Sequence, residues 1–382
     1  MLLSSNDHPH ILIRGTGSYL PGPPIPFDEV DAYLGPITRA PEKVMKWFSR
    51  IRPLMKEMID VEYYHFAFDK TSRLYFDDNI TMSVKAAQHA LEMSGLKPAE
   101  IDLIVYGSAH QDQMPTASVR IQESLGIPYC AEFSIHANCT SAYKAILLAF
   151  DMLRNGRCRN ALVISSSVSS SELRSDYFNQ EILSREELFL RYFLCDGAGA
   201  MVLSAEEQTV KEGLYLKACT TESVGAFKPS AMNNKRPAFW MNPKEEFEKG
   251  YHHLAQMFNE QLRLHFHDED GSVFYKGLKR FTERFPLPLE KVRYFQVNFP
   301  SRHISEMIIE ECENLGIRKE TLYSKMSTMG YAGPPMVLIC LDRIMREESL
   351  EQGDIILSFV TEVSKFMQAG FWAELGPGQL SE

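Results

Sequence analysis

The sequence lacks the features that mark several classes of protein. Its seven cysteines are odd in number and scattered, and no two form a CxxC pair, which excludes a disulfide framework and a zinc site. Proline, glycine and charged residues interrupt every apolar run before it reaches the roughly 18 residues of a membrane span. No GxGxxG phosphate-binding loop is present. Polar residues occupy the N-terminus where a signal peptide would be apolar, so we expect a cytoplasmic protein.

Positive charge is also scarce. The chain has 40 lysines and arginines against 50 acidic residues, for a net charge of -10, and no basic stripe follows it. Nucleic acid and membrane partners are therefore not expected. What is present is ordinary globular composition: 382 residues, 45% hydrophobic and 24% charged. A chain of this kind has enough apolar material for a large buried core.

Helices and buried strands alternate along the first half of the chain. A strand over His10–Ile13 runs into a predicted Gly/Pro loop that starts at Gly15. Helical spacing over 79–94 ends at Gly95, and the apolar run IDLIVYG (101–107) is typical of a buried strand. A strand, a turn and a long helix follow within AEFSIHANCTSAYKAILLAF. This alternation predicts an α/β fold.

An internal repeat with an offset of 190 to 191 residues divides the chain in two. Three landmarks recur at this offset in the same order: Ile101 with Val292 at strand starts, Leu-Gly-Ile at 125–127 and 315–317, and Asp151 with Asp342 in a helix before an apolar strand. We therefore expect two pseudo-duplicated halves, residues 1–207 and 208–382, that share one core. The functional site should lie at their junction.

Cys139 stands between a predicted strand and a predicted helix that begins TSAYKAILLAF. Backbone N–H groups and the dipole at a helix N-terminus favour negative charge, which predicts a lowered thiol pKa and a reactive thiolate. The same geometry aims an amide at a developing oxyanion. A buried small side chain is the alternative for a free cysteine. In the second half, the matching turn STMGYAGPPMVL places Tyr331 near the position equivalent to Cys139.

Four segments, in order along the chain, resemble beta-ketoacyl-acyl carrier protein synthase III of the thiolase superfamily. They are IRGTGSYLP, FSIHANCTSAYKAILLAFDMLRNGR, LCDGAGAMVLSAEE and GYAGPPMVLICLDRIMREESLEQGDIILSF. The resemblance implies an α/β thiolase fold, five-layered αβαβα, in a homodimer with no permanently bound cofactor. It makes residues 1–207 a thiolase-like half that carries the nucleophile Cys139, and 208–382 a second thiolase-like half. The acyl group would come from a thioester of coenzyme A or of the phosphopantetheine arm of an acyl carrier protein.

The sequence departs from the family at the two residues with which relatives condense malonyl thioesters, a histidine and an asparagine. Within VRYFQVNFPSRH (292–303), one alignment puts Phe295 at the histidine position and the other puts Asn298 there. His303 lies five residues past Asn298. It is either a substitute that reaches the cysteine or a surface histidine at a helix N-terminus. Tyr331 stands where the family has the asparagine.

A third departure concerns the glycine-rich loop of the family. Here it becomes TEVSKFMQAG, which brings residues 362–365 near the site. The resemblance leaves a backbone amide about Val363 as the second donor to an oxyanion.

A retained cysteine without its condensing pair favours simple acyl transfer. Loss of each enolate donor costs about 3 kcal/mol on the scale of oxyanion-hole deletions. We therefore predict an acyltransferase that moves an acyl group through a Cys139 thioester to a hydroxyl, an amine or a carrier, in natural-product or fatty-acid-related biosynthesis. One alternative is a decarboxylating beta-ketoacyl synthase in which His303 or Tyr331 replaces the missing donors. The other is a non-catalytic partner subunit of a ketosynthase heterodimer.

Overall fold

The computed structural model describes residues 8–110, 114–207, 212–237, 241–257, 259–261, 263, 271–297 and 302–376, with the backbone alone for 302–304. The strands are β1 His10–Tyr19, β2 Ile25–Pro26, β3 Tyr63–Tyr64, β4 Leu103–Ser108, β5 Ala131–His136, β6 Asn160–Val168, β7 Asp196–Glu206, β8 Gly213–Ser223, β9 Met232–Asn234, β10 Leu254–Gln256, β11 Val292–Gln296, β12 Leu322–Tyr323, β13 Ile355–Glu362 and β14 Met367–Gly376. The helices are α1 Val30–Leu34, α2 Glu42–Ile59, α3 Asn79–Ser94, α4 Ala117–Leu125, α5 Ser141–Arg154, α6 Arg185–Leu190, α7 Pro243–Lys249, α8 Val273–Arg284, α9 Arg302–Asn314, α10 Met326–Met329 and α11 Met336–Glu347.

Strand β1 is longer than the sequence predicts. A loop is predicted from Gly15 onward, but the strand continues to Tyr19. A Cβ atom on Gly15 would lie 2.3 Å from the carbonyl oxygen of Ala90, and one on Gly17 would lie 2.1 Å from that of Ala86. Both carbonyls belong to α3. The glycines therefore allow α3 to pack directly on the strand backbone instead of marking a turn.

A ten-stranded sheet forms the centre of the molecule, in the order β12-β11-β13-β14-β8-β1-β7-β6-β4-β5. The five strands of each half lie side by side in the sheet. From the outer edge inward, the first half has the order β5-β4-β6-β7-β1 and the second half has β12-β11-β13-β14-β8. In both sets this is the third, second, fourth, fifth and first strand of the set along the chain. Antiparallel pairing of β1 with β8 joins the two sets. A duplicated α/β unit would produce this common order. The division at 207/208 falls between β7 and β8 and stays a prediction.

Helices cover the two sets of strands in layers. Helix α3 packs on β1, β6 and β7, while α8 packs on β13 and β14 at the opposite side of the molecule. Helix α5 lies between the sets and touches β4 and β6 of the first and β8 and β14 of the second. Helix α11 likewise touches β1 and β7 on one side and β11 on the other. These contacts build helix, sheet, helix, sheet, helix, which confirms the predicted five-layered αβαβα fold.

Burial on both faces of the strands explains their continuous apolar runs. In β4, Leu103 and Val105 join the inner core around α5, while Ile104 and Tyr106 join the outer core around α3. The predicted strand IDLIVYG is therefore apolar throughout because both of its faces are covered. In the part of the chain that the structure describes, no helix combines the length and hydropathy needed to cross a bilayer.

A buried carboxylate ties α11 of the second half to β1 of the first. Asp342 accepts hydrogen bonds from Thr16 Oγ1 at 2.9 Å, from Ser18 Oγ at 2.6 Å and from Arg346 Nε at 2.7 Å. Arg346 also donates to the carbonyl oxygen of Thr16 at 2.9 Å. This network anchors α11 against β1.

Candidate active site

Cys139 lies in the turn between β5 and α5, where the parallel strands β4 and β5 reach the same edge of the sheet. The start of α5 packs tightly on β4, because a Cβ atom on Gly107 would lie 2.4 Å from the carbonyl oxygen of Ser141. This close packing fixes the turn. Cys139 keeps intermediate exposure.

Tyr331 approaches Cys139 from the second half of the chain. Its hydroxyl lies 3.5 Å from the Cys139 Sγ atom. The backbone is positioned from two sides: Cys195 N–H donates to the Tyr331 carbonyl oxygen at 2.9 Å, and Gly330 adopts φ +76°. A Cβ atom on Gly330 would lie 2.9 Å from the carbonyl oxygen of Tyr63. Only glycine suits both that φ angle and that space.

The predicted lowering of the Cys139 pKa is wrong in direction. Burial is the largest cause of a pKa raised to about 12, and the nearby charge of Glu362 adds to it. The hydrogen bond with Tyr331 opposes this rise. The sequence argument considers only the helix end, whereas in the structure a carboxylate from the other half already interacts with that end. At neutral pH the Cys139 thiol therefore holds its proton, and attack on a carbonyl requires a proton acceptor.

Glu362 is that carboxylate. It ends β13, is 1% exposed, and its Oε2 atom accepts hydrogen bonds from Thr140 N–H at 2.9 Å and Thr140 Oγ1 at 2.6 Å. Sequence reasoning places residues 362–365 near the site but assigns no role to Glu362. Val363 follows it, and its carbonyl oxygen accepts from Ala231 N–H at 3.2 Å. A role for the Val363 amide as oxyanion donor stays a prediction.

The remaining predicted residues lie elsewhere or outside the described part of the chain. Phe295 packs with Phe274 and Phe359 in the outer core around α8. The alignment that puts Phe295 at the histidine position therefore selects a side chain on the face of the sheet away from Cys139. Asn298 lies outside the described residues. His303 lies in the first turn of α9, and its side chain is likewise outside them. The roles predicted for Asn298 and His303 therefore stay predictions.

A row of polar side chains that sequence reasoning missed runs inward from the site. The Tyr143 hydroxyl forms a 2.7 Å hydrogen bond with Ser358 Oγ. Ser358 pairs in register with Gln296, which is 1% exposed. Neither polar atom of the Gln296 side chain has a hydrogen-bond partner among the residues that the structure describes. The available signal in the sequence is that Tyr143 lies in the first turn of the predicted helix that follows Cys139.

Residues 228–232, which lead into β9 and include its first residue, close another side of the site. Asn138, which precedes Cys139, donates from Nδ2 to Met232 Sδ at 3.0 Å. Residue Ala231 contacts Val363, as described above, and Lys365 donates to the carbonyl oxygen of Lys228. The chain after β8 therefore contacts both the turn that holds Cys139 and the turn at residues 362–365.

Comparison with known proteins agrees with this arrangement. A family model described as 3-oxoacyl-[acyl-carrier-protein (ACP)] synthase III matches residues 133–220, which include Cys139. A solved structure of AbyA1, described as a tetronic acid condensing enzyme, superposes with a TM-score of 0.76 at 21% identity, covering 95% of this chain and 99% of that one. This likeness establishes the thiolase-type fold.

Two curated relatives carry the name beta-ketoacyl-[acyl-carrier-protein] synthase III. The protein of Sphingopyxis alaskensis is 30% identical over 227 residues, which are 56% of this chain and 67% of that relative. The protein of Rhizorhabdus wittichii is 35% identical over 236 residues, with the same two coverages. Sequence, fold and site geometry thus converge, and the chain belongs to the beta-ketoacyl-acyl carrier protein synthase III family of the thiolase superfamily.

Proposed function

We propose that this protein is an acyltransferase that accepts an acyl group from a coenzyme A or acyl carrier protein thioester onto Cys139 and passes it to a hydroxyl, an amine or a carrier. We assign the reaction to natural-product or fatty-acid-related biosynthesis. The observation that carries the proposal is the 3.5 Å contact between Cys139 Sγ and the Tyr331 hydroxyl, at a position where relatives that condense use an asparagine.

Loading of Cys139 is a thioester exchange. The sulfur attacks the donor carbonyl, a new C–S bond forms, and the donor thiol leaves as the old C–S bond breaks. Because the pKa of Cys139 is raised to about 12, its proton must move to an acceptor during attack. We assign the oxyanion to the backbone amides of Cys139 and Val363.

Decarboxylative condensation requires additional hydrogen-bond donors at the same site. The enolate formed from a malonyl thioester needs two donors on its carbonyl, and each missing donor costs about 3 kcal/mol. Tyr331 brings one hydroxyl to this place. Condensation is the second candidate. The observation that favours it is the structural likeness to AbyA1, described as a tetronic acid condensing enzyme, which covers 95% of this chain.

Intact-protein mass spectrometry after incubation with acetyl-, butyryl- and octanoyl-coenzyme A tests the loading step. We expect the mass of one acyl group on the wild-type protein and on Cys130→Ala, a control cysteine that is also partly exposed. We expect no added mass on Cys139→Ala. A wild-type protein that stays unmodified with all three donors, and that copurifies with a ketosynthase as a stable heterodimer, would instead support the non-catalytic subunit.

Release of carbon dioxide from malonyl-coenzyme A separates the two catalytic candidates. Acyl transfer predicts an acylated Cys139 with no release above that of Cys139→Ala. Condensation predicts release that is lost in His303→Ala if His303 replaces the missing histidine. Release that survives this change would exclude His303 from the role.

We also propose a homodimer that works in the cytoplasm with acyl carrier protein or acyl-coenzyme A and holds no permanent cofactor. The exposed edge of β5 supports the dimer, since β5 is the terminal strand of the sheet and most of its residues are exposed. Seven free cysteines suit a reducing compartment.

A further inference from the structure

A buried carboxylate beside the nucleophile comes from the second half of the chain. As described above, Glu362 Oε2 accepts from both the N–H and the hydroxyl of Thr140, the residue that follows Cys139. The Ser364 hydroxyl donates to Glu362 Oε1. The Glu362 carboxylate is the acceptor in all three hydrogen bonds. It lies at the same end of α5 as the Cys139 thiol.

Two lysines on the adjoining elements form hydrogen bonds with groups other than the Glu362 carboxylate. Lys144, in the first turns of α5, donates to Met367 Sδ at 3.4 Å. Lys365, in the turn after β13, donates to the carbonyl oxygen of Lys228. Neither of these two lysines is therefore the partner that holds the Glu362 carboxylate.

The other polar group at the thiol is a poor proton acceptor. Burial, with Cys139 next in importance, raises the pKa of the Tyr331 phenol well above its usual value. At neutral pH the Tyr331 phenol keeps its proton and shares a 3.5 Å hydrogen bond with the Cys139 sulfur. Among the described residues, Glu362 is therefore the carboxylate that lies beside Cys139 and is available to take a proton.

We propose that Glu362 is the general base of the second half-reaction, in which the acyl group leaves Cys139 for a hydroxyl or amine. This inference rests on the proposed acyl transfer. As the acceptor oxygen or nitrogen bonds to the thioester carbonyl carbon, its proton moves to the Glu362 carboxylate. When the tetrahedral intermediate collapses, the C–S bond breaks with its electron pair going to sulfur, and the proton moves from Glu362 to Cys139. The products are the acylated acceptor and the free thiol.

The raised pKa of Cys139 supports this route. A thiolate that is unfavourable in its surroundings leaves more easily if it receives a proton, and Glu362 would deliver one. Glu362 would also accept the Cys139 proton during loading, but there its negative charge disfavours the attacking thiolate, so its replacement by glutamine has two opposing effects on loading. Loss of Glu362 should therefore slow transfer to a hydroxyl or amine more than it slows loading, and the two steps can be measured apart.

Glu362→Gln is the test variant, because it keeps the shape and one carbonyl acceptor for Thr140 while it removes the base. Glu374→Gln on β14 is the matched control, a glutamate that pairs with Lys217 away from the site. The acyl-enzyme is formed with the coenzyme A thioester that labels wild type and is then mixed with one of two probes. The first probe is 2-aminoethanol, which needs a base, and the second is pantetheine, a thiol that ionises in water.

We expect Glu362→Gln to slow loading of Cys139 less than it slows transfer to 2-aminoethanol, because removal of the negative charge offsets part of the loss of the base. Transfer to 2-aminoethanol should fall at least about a hundredfold, the lower end of a general-base contribution, while transfer to pantetheine changes less than about threefold. Glu362→Asp should recover part of the loss and carries the test if Glu362→Gln does not fold by circular dichroism. Equal transfer in wild type and Glu362→Gln, or an equal loss of loading and both transfers, would overturn the inference. A wild-type protein that does not load would refute the proposed function itself.

Discussion

At the scale of single residues, the reactivity of Cys139 depends on groups brought from distant parts of the sequence. Burial and Glu362 disfavour the thiolate, and Tyr331 favours it through a hydrogen bond to sulfur. A helix N-terminus by itself would favour the thiolate, so the balance depends on which side chains reach that end. The thiol is protonated at rest, so the proposed attack on a thioester requires a proton acceptor.

Alkylation of Cys139 by iodoacetamide measures this balance. With a thiol pKa raised to about 12, the wild-type rate should increase about tenfold per pH unit from pH 7 to 9 without a plateau, because the thiolate is the reactive form. Tyr331→Phe should react about tenfold more slowly at each pH, since it loses a hydrogen bond to a charged group but keeps the ring. Peptide mass spectrometry follows Cys139 and, as internal control, Cys130. A rate in Tyr331→Phe equal to or above wild type would contradict the assignment.

At the scale of elements, the two inner helices are held in place by groups from the opposite half. Glu362 of β13 bonds to the residue before α5, and β1 binds Asp342 of α11 through Thr16 and Ser18. The equivalent aspartates of the two halves do not have the same surroundings. Asp151, the repeat equivalent of Asp342, is exposed, whereas Asp342 is buried. The repeat offset in the sequence thus identifies equivalent positions, but it does not predict which of them is buried and hydrogen-bonded to the other half.

Asp342→Ala should destabilise the protein more than Asp151→Ala does. The first change leaves two buried hydroxyls and Arg346 without their carboxylate, which costs about 3 kcal/mol. The second change alters an exposed side chain and should stay within about 0.5 kcal/mol. Urea unfolding followed by fluorescence, at one protein concentration, gives both values. Equal stability of the two variants would show that the network does not hold α11 on β1.

At the scale of the whole molecule, the sheet ends in two unlike edges. Strand β12 has two residues, while β5 has six, and Phe133 in β5 is 40% exposed. An exposed edge strand can pair with another chain, and two copies related by a twofold axis would pair β5 with β5. The proposed homodimer would thereby extend the sheet across both subunits and cover the apolar side chains of this edge.

Phe133→Lys should convert the dimer to a monomer, because it places like charges opposite each other across the twofold axis. Light scattering after size-exclusion chromatography should give about half the wild-type mass. Phe247→Lys is the control, since Phe247 on α7 is 41% exposed and is not part of β5. A Phe133→Lys protein that keeps the wild-type mass would exclude β5 as the interface, and a wild-type monomer would exclude the dimer.

Local pattern was enough to predict most of the fold. The helix ending at Gly95, the strand–turn–helix around Cys139 and the repeat offset all depend on residues close in sequence or on a comparison of the chain with itself. The errors arose where a contact is distant. Gly15 and Gly17 read as loop residues because the sequence does not reveal that α3 packs on them, and Phe295 can be aligned to the site because the face of a strand depends on its register.

The sequence by itself determined the α/β class, the doubled organisation and the choice of Cys139 as the residue to test. These conclusions follow from the periodicity of hydrophobic residues, the offset of the internal repeat and the order of the motifs, all of which can be seen in the linear sequence. Only the tertiary structure decided what surrounds the thiol. Tyr331 and Glu362 lie 192 and 223 residues away from Cys139 in the chain, yet one contacts its sulfur and the other bonds to the next residue. Burial and the electrostatic field of such neighbours set the pKa and the available proton acceptor, and both depend on distance in space.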